Sequence, residues 1–142
     1  MFTTSFTIEW GDCDEAGIVF YPNYFYWFDC AFQRLLRDRG LSQRELRKRF
    51  GAVTPIVEAH SDFKAPARYD DVLDIEITVQ GAGERRFRVD YRFSSKARPI
   101  GTGYEIRAWA QLKDDGTMKS APLSEEFMSI LGAAAQDPVQ EP

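Results

Sequence analysis

The chain has 142 residues, of which 44% are apolar and 28% are charged, and its formal net charge is −4. This length fits one domain with a sizeable core, and the composition is that of a globular chain and not of a disordered one. The negative charge disfavours nucleic acid and anionic membrane surfaces as partners, and two cysteines with one histidine are too few for a typical zinc site.

The first predicted element is a strand, and an ordered loop follows it. Aromatic and β-branched residues alternate in part over residues 2–10, which is typical of a strand that ends at Gly11. Residues 11–23 then combine Gly, Asp and Pro with a short apolar run, which indicates an ordered loop. Loops held by a rigid scaffold often carry the chemistry of a protein, so this segment is the first candidate for a site.

Two helices are predicted next. Over residues 22–39 apolar side chains recur at spacings of three and four, which predicts a long amphipathic helix. Pro22 suits its first turn because proline lacks an N–H, and Gly40 suits a left-handed stop. Ser42 stands three residues before Glu45, a spacing typical of a capping box, and this predicts a second, short helix.

The rest of the chain predicts β-structure. Apolar and polar residues alternate in four segments, 56–63, 72–79, 87–93 and 104–112. The separators are rich in turn-forming residues, which favours an antiparallel meander. The alternation in the last strand places Trp109 on the face away from the long helix, together with arginine side chains. Aromatic residues make up 14% of the chain, which is more than a single core needs. Self-association through such a surface is one explanation of this surplus, and a large filled core is the other.

These elements predict an α+β domain. Neither a single amphipathic helix nor a one-faced antiparallel sheet can bury its apolar surface alone, so we expect the sheet to wrap around the long helix. We assign residues 1–131 to this single domain and residues 132–142 to a flexible tail. The chain has no apolar run of about 18 residues and no charged leader before an apolar stretch, so we expect a cytoplasmic protein that does not act on membranes.

Two aspartates in the loop are candidates for chemistry. Asp12 and Asp14 flank Cys13 directly ahead of the long helix. N–H groups at a helix start have no intrahelical acceptor, and the helix dipole adds positive potential, so a carbonyl oxygen placed there is polarised. A nearby carboxylate could attack that carbonyl or deprotonate a water, and the sequence leaves this choice open. The other interpretation is that both aspartates only shape a turn or cap. Either way they disfavour a Cys13 thiolate, which argues against a cysteine hydrolase.

The run GDCDEAGIVFYPNYFYWFD, residues 11–29, resembles the signature of the 4-hydroxybenzoyl-CoA thioesterase group within the hotdog-fold superfamily. The resemblance continues through TPI at 54–56 and YDDVLDIE at 69–76. It implies the hotdog fold, in which an antiparallel sheet wraps around a long central helix. It also implies hydrolysis of an acyl-CoA, with no metal and no redox cofactor.

The resemblance assigns roles residue by residue. Asp14 takes the place of the catalytic carboxylate, and the backbone N–H of Tyr21 takes that of the donor to the thioester oxygen. Thr54 and Asp29 fall where the family lines the acyl pocket, although an aspartate on a helix equally suits a structural role. Asp12 resembles a loop-shaping residue.

The residue at position 22 helps to distinguish which acyl group the enzyme uses. Related Tol-Pal-linked, short-chain acyl-CoA thioesterases typically have a histidine at this position, so the resemblance favours the aromatic branch, with 4-hydroxybenzoyl- or benzoyl-CoA as substrate. Two alternatives stay open, a short-chain aliphatic acyl-CoA thioesterase and a non-catalytic acyl-thioester binding module of the same fold. A hotdog dehydratase fits less well, because it calls for a histidine paired with a carboxylate and His60 lies on a predicted strand.

The expected partners are an acyl-CoA substrate and further copies of the chain. Exposed sheet edges and the aromatic surplus suit a dimer. The resemblance extends this to a homotetramer built as a dimer of dimers.

Overall fold

The computed structural model describes residues 1–133. Its elements in chain order are β1 (Phe2–Thr7), a 3-10 turn (Trp10–Asp12), α1 (Pro22–Asp38), α2 (Gln43–Phe50), β2 (Ala52–Val53), β3 (Ile56–Phe63), β4 (Val72–Gly81), β5 (Arg86–Ser95), β6 (Arg98–Ala108), β7 (Ala110–Leu112), β8 (Met118–Ser120) and α3 (Glu125–Ile130). The predicted α+β class is confirmed. The predicted tail, 132–142, lies outside the described residues from 134 onward.

The long helix α1 is the axis of the fold. Its buried side chains form one stripe toward the sheet: Tyr24, Trp27, Phe28, Ala31, Phe32, Leu35 and Leu36. Pro22 occupies the first turn and Gly40 follows the end with φ +74°, as the sequence predicted. The second helix is confirmed as well, since the Ser42 side chain accepts a hydrogen bond from the Glu45 N–H. Within residues 1–133, no helix is long and apolar enough to cross a membrane.

Five antiparallel strands form the main sheet, in the order β1-β4-β5-β6-β3. The predicted meander is correct for β4, β5 and β6 but wrong for β3, which pairs with β6 at the far edge. The reason lies in residues 64–71, which cannot form a hairpin because their backbone bonds to the loop before α1, for example from the Val19 N–H to the Ala67 oxygen at 2.9 Å. A smaller sheet has the order β2-β7-β8.

The last long strand begins earlier than predicted. β6 starts at Arg98 and not at Tyr104, because the chain reverses over Lys96 and Ala97 alone. Both residues have positive φ, 50° and 62°, which is the conformation that a tight two-residue hairpin turn needs.

The face assigned to Trp109 was wrong. Trp109 is only 2% exposed and packs against Phe127, with ring centroids 4.7 Å apart, and against Phe50 at 5.7 Å. Glu105 and Arg107 on the same strand are also buried. The Trp109 side chain therefore fills the core, and this face of the sheet gives no support for self-association.

Gly103 sets how closely the helix approaches the sheet. A Cβ at this position would lie 2.6 Å from the ring of Phe28 on α1. Phe28 in turn stacks on Tyr91 of β5, with centroids 4.4 Å apart and planes 7° from parallel. The absence of a side chain at Gly103 thus lets α1 rest directly on the strands, and it fixes the depth at which helix side chains meet β6.

Candidate active site

The segment 12–21, which we call the aspartate loop, holds Asp14 by backbone bonds. The Asp14 N–H donates to the Ile18 oxygen at 2.9 Å, and the Gly17 N–H donates to the Asp14 oxygen at 3.0 Å. The Ala16 N–H donates to Asp14 Oδ1 at 2.9 Å. Because Oδ1 is held in this way while the side chain stays exposed, the carboxylate has a fixed direction and Oδ2 is available to a ligand.

Asp12 connects the aspartate loop to the helix. Its Oδ2 accepts from the Glu9 N–H at 2.8 Å, and its backbone oxygen accepts from the Phe20 N–H at 2.9 Å and from Asn23 Nδ2 at 2.8 Å. These contacts agree with the loop-shaping role predicted for Asp12. They also fix the backbone directly before Tyr21.

The start of α1 offers an open donor. Tyr21 precedes Pro22, the first residue of the helix, and Pro22 has no N–H. Among residues 1–133, the Tyr21 N–H meets no backbone or side-chain acceptor. The dipole of the 17-residue helix adds positive potential at this end. A carbonyl oxygen placed here would accept a hydrogen bond and would be stabilised as it gains negative charge.

An open, largely apolar pocket of about 450 Å³ lies beside Tyr21. Its walls include Tyr24 from α1, Phe63 at the end of β3, and the segment 64–67. The rings of Tyr24 and Phe63 lie 5.1 Å apart. Burial raises the pKa of Tyr24 to about 12, so this phenol stays neutral at physiological pH. The volume and the aromatic walls suit a small planar group.

Asp29 and Thr54 belong to a second group of residues, which we call the arginine cluster: Asp29, Thr54, Tyr91, Glu105 and Arg107. Arg107 Nη2 donates to Asp29 Oδ1 and to Glu105 Oε1, both at 2.9 Å, and Nη1 donates to the Thr54 backbone oxygen at 3.1 Å. The Tyr91 hydroxyl donates to Glu105 Oε1 at 2.5 Å. The arginine side chain also covers the ring of Phe32, with 4.2 Å from its central carbon to the centroid.

Burial dominates the electrostatics of this cluster. Desolvation raises the pKa of Glu105 above its usual range, and the adjacent Arg107 opposes that shift. Desolvation also raises the pKa of Tyr91 well above its usual range, with Glu105 as the second cause. Tyr91 is therefore a neutral donor, and Arg107 is the cation that balances the buried carboxylate.

The sequence-predicted site residues fall into two places. Asp14 and Tyr21 share the aspartate loop, whereas Asp29 and Thr54 meet through Arg107. Since Asp29 follows Tyr21 by eight helical residues, the two places are about 12 Å apart along α1. Sequence reasoning missed Arg107. The available signal was the pair of opposite charges two residues apart on one face of a strand, which suits a buried ion pair.

Cys13 lies in the aspartate loop but is not suited to attack. Burial raises the pKa of its thiol, and the carboxylates of Asp12 and Asp14 raise it further. The thiolate, which is the nucleophilic form, is thereby disfavoured.

The chain is similar to one protein family and to several known enzymes. A family model described as "Thioesterase-like superfamily" matches residues 8–131. The chain is 45% identical over 131 residues to the 4-hydroxybenzoyl-CoA thioesterase of Pseudomonas sp. (strain CBS-3), covering 87% of this chain and 92% of that protein. It is 31% identical over 129 residues to the 1,4-dihydroxy-2-naphthoyl-CoA hydrolase of Synechococcus elongatus, covering 90% and 93%.

Solved structures support the same family assignment. A crystal structure of a mutant 4-hydroxybenzoyl CoA thioesterase complexed with 4-hydroxybenzoyl CoA superposes with a TM-score of 0.83 and 31% identity over the superposed residues. The match covers 92% of this chain and 97% of the other. The sheet wrapped around α1 is therefore the hotdog fold that the sequence resemblance implied.

Proposed function

Because the chain belongs to the thioesterase-like superfamily and is an acyl-CoA thioesterase, we propose that it hydrolyses an aromatic acyl-CoA, of the 4-hydroxybenzoyl or benzoyl type, to the free acid and CoA. The observation that carries the proposal is the exposed, oriented Asp14 carboxylate on the loop that leads into the open N-terminus of α1. Two relatives named for aromatic acyl groups and the aromatic pocket beside Tyr21 support the choice of acyl group.

In the proposed reaction, the thioester oxygen accepts a hydrogen bond from the Tyr21 N–H. The helix end stabilises the negative charge that develops on this oxygen as the carbonyl carbon is attacked. Asp14 supplies the attack by one of two routes. It either adds to the carbon itself, expelling CoA thiolate and leaving an anhydride that water hydrolyses, or it takes a proton from the water that adds. The thiolate is released as CoA thiol once it gains a proton.

Asp29 and Thr54 are proposed to contact the acyl group. Asp29 is half-exposed, with 46% of its side chain accessible, so it can meet a ligand directly. Thr54 is 5% exposed, and its backbone oxygen is taken by Arg107. In this proposal Thr54 forms part of the wall beside the acyl group, and Asp29 presents a polar atom to it.

We also propose that the enzyme is a homo-oligomer joined along β3. This edge strand is exposed along most of its length and shows Ile56, Val57 and Phe63 to solvent, each 44% to 47% accessible. Its Ile56 end pairs with Arg107 of β6, and its Phe63 end lines the pocket beside Tyr21. Two copies joined at β3 about a two-fold axis run antiparallel, so each aspartate loop would approach the other copy's arginine cluster. The pairing of such dimers into a tetramer stays a prediction.

Steady-state release of CoA thiol from 4-hydroxybenzoyl-, benzoyl- and butyryl-CoA tests the activity. We expect turnover of the aromatic esters, and we expect Asp14→Asn to lower kcat by about 10²- to 10⁴-fold. Glu15→Gln, an exposed neighbour, is the matched control and should keep the wild-type rate. A preference for butyryl-CoA would contradict the aromatic assignment, and a wild-type rate in Asp14→Asn would remove Asp14 from the mechanism.

Light scattering after gel filtration tests the oligomer. A monomer has a mass of 16.3 kDa, and we expect at least twice that value. Val57→Arg should shift the protein toward the monomer, whereas Met118→Arg, which changes an exposed residue on β8, should not. A monomeric wild type would refute the β3 interface.

A further inference from the structure

Asn23, in the first turn of α1, bonds to both ends of the aspartate loop. Its side-chain Nδ2 donates to the Asp12 backbone oxygen at 2.8 Å. Its backbone N–H donates to the Phe20 oxygen at 3.0 Å. Asp12 lies two residues before Asp14, and Phe20 lies directly before Tyr21. One residue is therefore bonded to the segment that carries the carboxylate and to the segment that carries the open donor.

The backbone contact of Asn23 fixes the direction of the Tyr21 N–H. The Phe20 C=O and the Tyr21 N–H belong to one planar trans peptide unit, in which these two bonds point in opposite directions. Because the Asn23 N–H holds the Phe20 oxygen toward the helix, the Tyr21 N–H points out of the helix start. This contact uses backbone atoms alone, so it remains when the side chain of Asn23 is replaced.

The side-chain contact of Asn23 fixes the other end of the loop. The Asp12 oxygen accepts from two donors, Asn23 Nδ2 at 2.8 Å and the Phe20 N–H at 2.9 Å. These two donors hold the peptide unit between Asp12 and Cys13, which comes directly before Asp14. Because Phe20 belongs to the loop and Asn23 to α1, the amide joins this end of the loop directly to the helix.

From this arrangement, we propose that Asn23 is a positioning residue that sets the distance between the Asp14 carboxylate and the Tyr21 N–H. The reaction needs these two groups at fixed places around one carbonyl, and a displacement of about 1 Å can lower a rate by about 100-fold. This inference rests on the proposed function. It adds a third group to the site, an amide that acts through the loop and not on the reacting atoms.

The amide of Asn23 suits this role better than other short polar side chains. The contact to the Asp12 oxygen needs a donor, which an ionised carboxylate cannot supply. A serine hydroxyl can donate, but it ends one bond closer to the backbone. The helix dipole favours aspartate near a helix start, so the stability of α1 alone does not call for asparagine here.

The test is steady-state hydrolysis by Asn23→Ala of whichever ester the wild type hydrolyses fastest among 4-hydroxybenzoyl-, benzoyl- and butyryl-CoA. We expect kcat to fall by about 10- to 100-fold, because the Asp14 carboxylate loses its place while the Tyr21 N–H keeps its direction. KM should stay within about three-fold of wild type, since Asn23 does not line the pocket beside Tyr21. A higher KM with an unchanged kcat would contradict the positioning role.

A double variant separates positioning from general damage. If the amide acts by placing Asp14, adding Asn23→Ala to Asp14→Asn should lower kcat by less than about three-fold, because the carboxylate is already gone. Losses that multiply in the double variant would mean that Asn23 acts by another route, and they would overturn the proposal.

Gln43→Ala is the matched control. Gln43 is an amide in the first turn of α2, it is half-buried like Asn23, and its Nε2 donates to Gln33 Oε1 at 2.9 Å. The change removes a bond of the same kind away from the aspartate loop, and kcat should stay at the wild-type value. An equal fall of kcat in Gln43→Ala and Asn23→Ala would refute a specific role for Asn23.

Asn23→Asp keeps the inference open to refutation if Asn23→Ala does not fold. Aspartate has the shape of asparagine and is favoured at a helix start, yet it has no N–H for the Asp12 oxygen. We expect kcat at least about 10-fold below wild type, and a wild-type kcat in this variant sinks the proposal. If neither variant folds, Asn23 supports the fold and not the site, and the proposal fails.

The proposed function and the positioning role fail in different ways. A wild type that hydrolyses none of the three esters would refute the proposed function. An active wild type whose kcat survives Asn23→Ala would refute the positioning role alone.

Discussion

The aspartate loop and the arginine cluster differ in how the chain builds them. The bonds that hold Asp14 join residues within four positions of each other, use mainly backbone atoms, and leave the Asp14 side chain exposed. The cluster joins residues up to 78 positions apart, uses mainly side chains, and buries all of them except Asp29. Under the proposed function, reaction chemistry belongs to a local, solvent-facing segment, whereas recognition of the acyl group depends on long-range packing. Substitutions in the aspartate loop should therefore change the reaction rate but not the stability, whereas substitutions in the arginine cluster should change both.

Removing the cation from the cluster should have the largest effect on stability. Arg107→Met leaves Glu105 buried without its partner, which we expect to lower the free energy of unfolding by about 3–5 kcal/mol. Asp14→Asn, which changes an exposed loop residue, should stay within about 0.5 kcal/mol of wild type. Urea unfolding measures both. The double variant Glu105→Leu with Arg107→Met should regain most of the loss, and a failure to do so would show that charge pairing is not the cause.

Crowding at Gly103 should have an intermediate effect. Gly103→Ala places a methyl group against Phe28, and we expect a loss of about 1–3 kcal/mol in the free energy of unfolding. Gly11→Ala is the control, since a Cβ there meets nothing within 4 Å. Equal stability of the two variants, measured in urea, would mean that α1 can shift without penalty.

The smallest effect is a dependence on pH. The pKa of Glu105 is raised in the folded state, so the folded protein holds this proton above the unfolded value of about 4.5. Its contribution to stability is present below that value and is lost as pH rises through the folded pKa. The free energy of unfolding of wild type, minus that of Glu105→Gln, should therefore fall as pH increases from about 4.5 and then level off. A difference that rises with pH would show that the pairing with Arg107 outweighs desolvation.

The same contrast explains what the sequence could predict. Asp14 and Tyr21 lie close together in the chain, and a Gly-rich loop before a helix with Pro22 in its first turn marks their place. Arg107 was missed, and Trp109 was placed on the wrong face, because alternation assigns faces by polarity. An arginine and a glutamate that form an ion pair can both face the core, as Arg107 and Glu105 do, and the polarity of either residue alone does not predict this.

The position of β3 was missed for a related reason. Turn-forming residues in the segment 64–71 predicted a hairpin, but pairing depends on where the connecting segment goes. Here the segment bonds to the aspartate loop, as in the contact from the Val19 N–H to the Ala67 oxygen, and this sends β3 to the opposite edge. Such a contact between distant segments leaves no periodic signal in the sequence.

The bond between Val19 and Ala67 has a consequence for how this enzyme can diversify. It uses only backbone atoms, so the loop proposed to carry the reaction is anchored to the pocket wall whatever side chains that wall displays. We therefore expect that exchanging Phe63 and Lys64 alters the pocket while the Asp14 carboxylate keeps its place. A library restricted to these two positions, assayed against several acyl-CoA esters, tests this expectation.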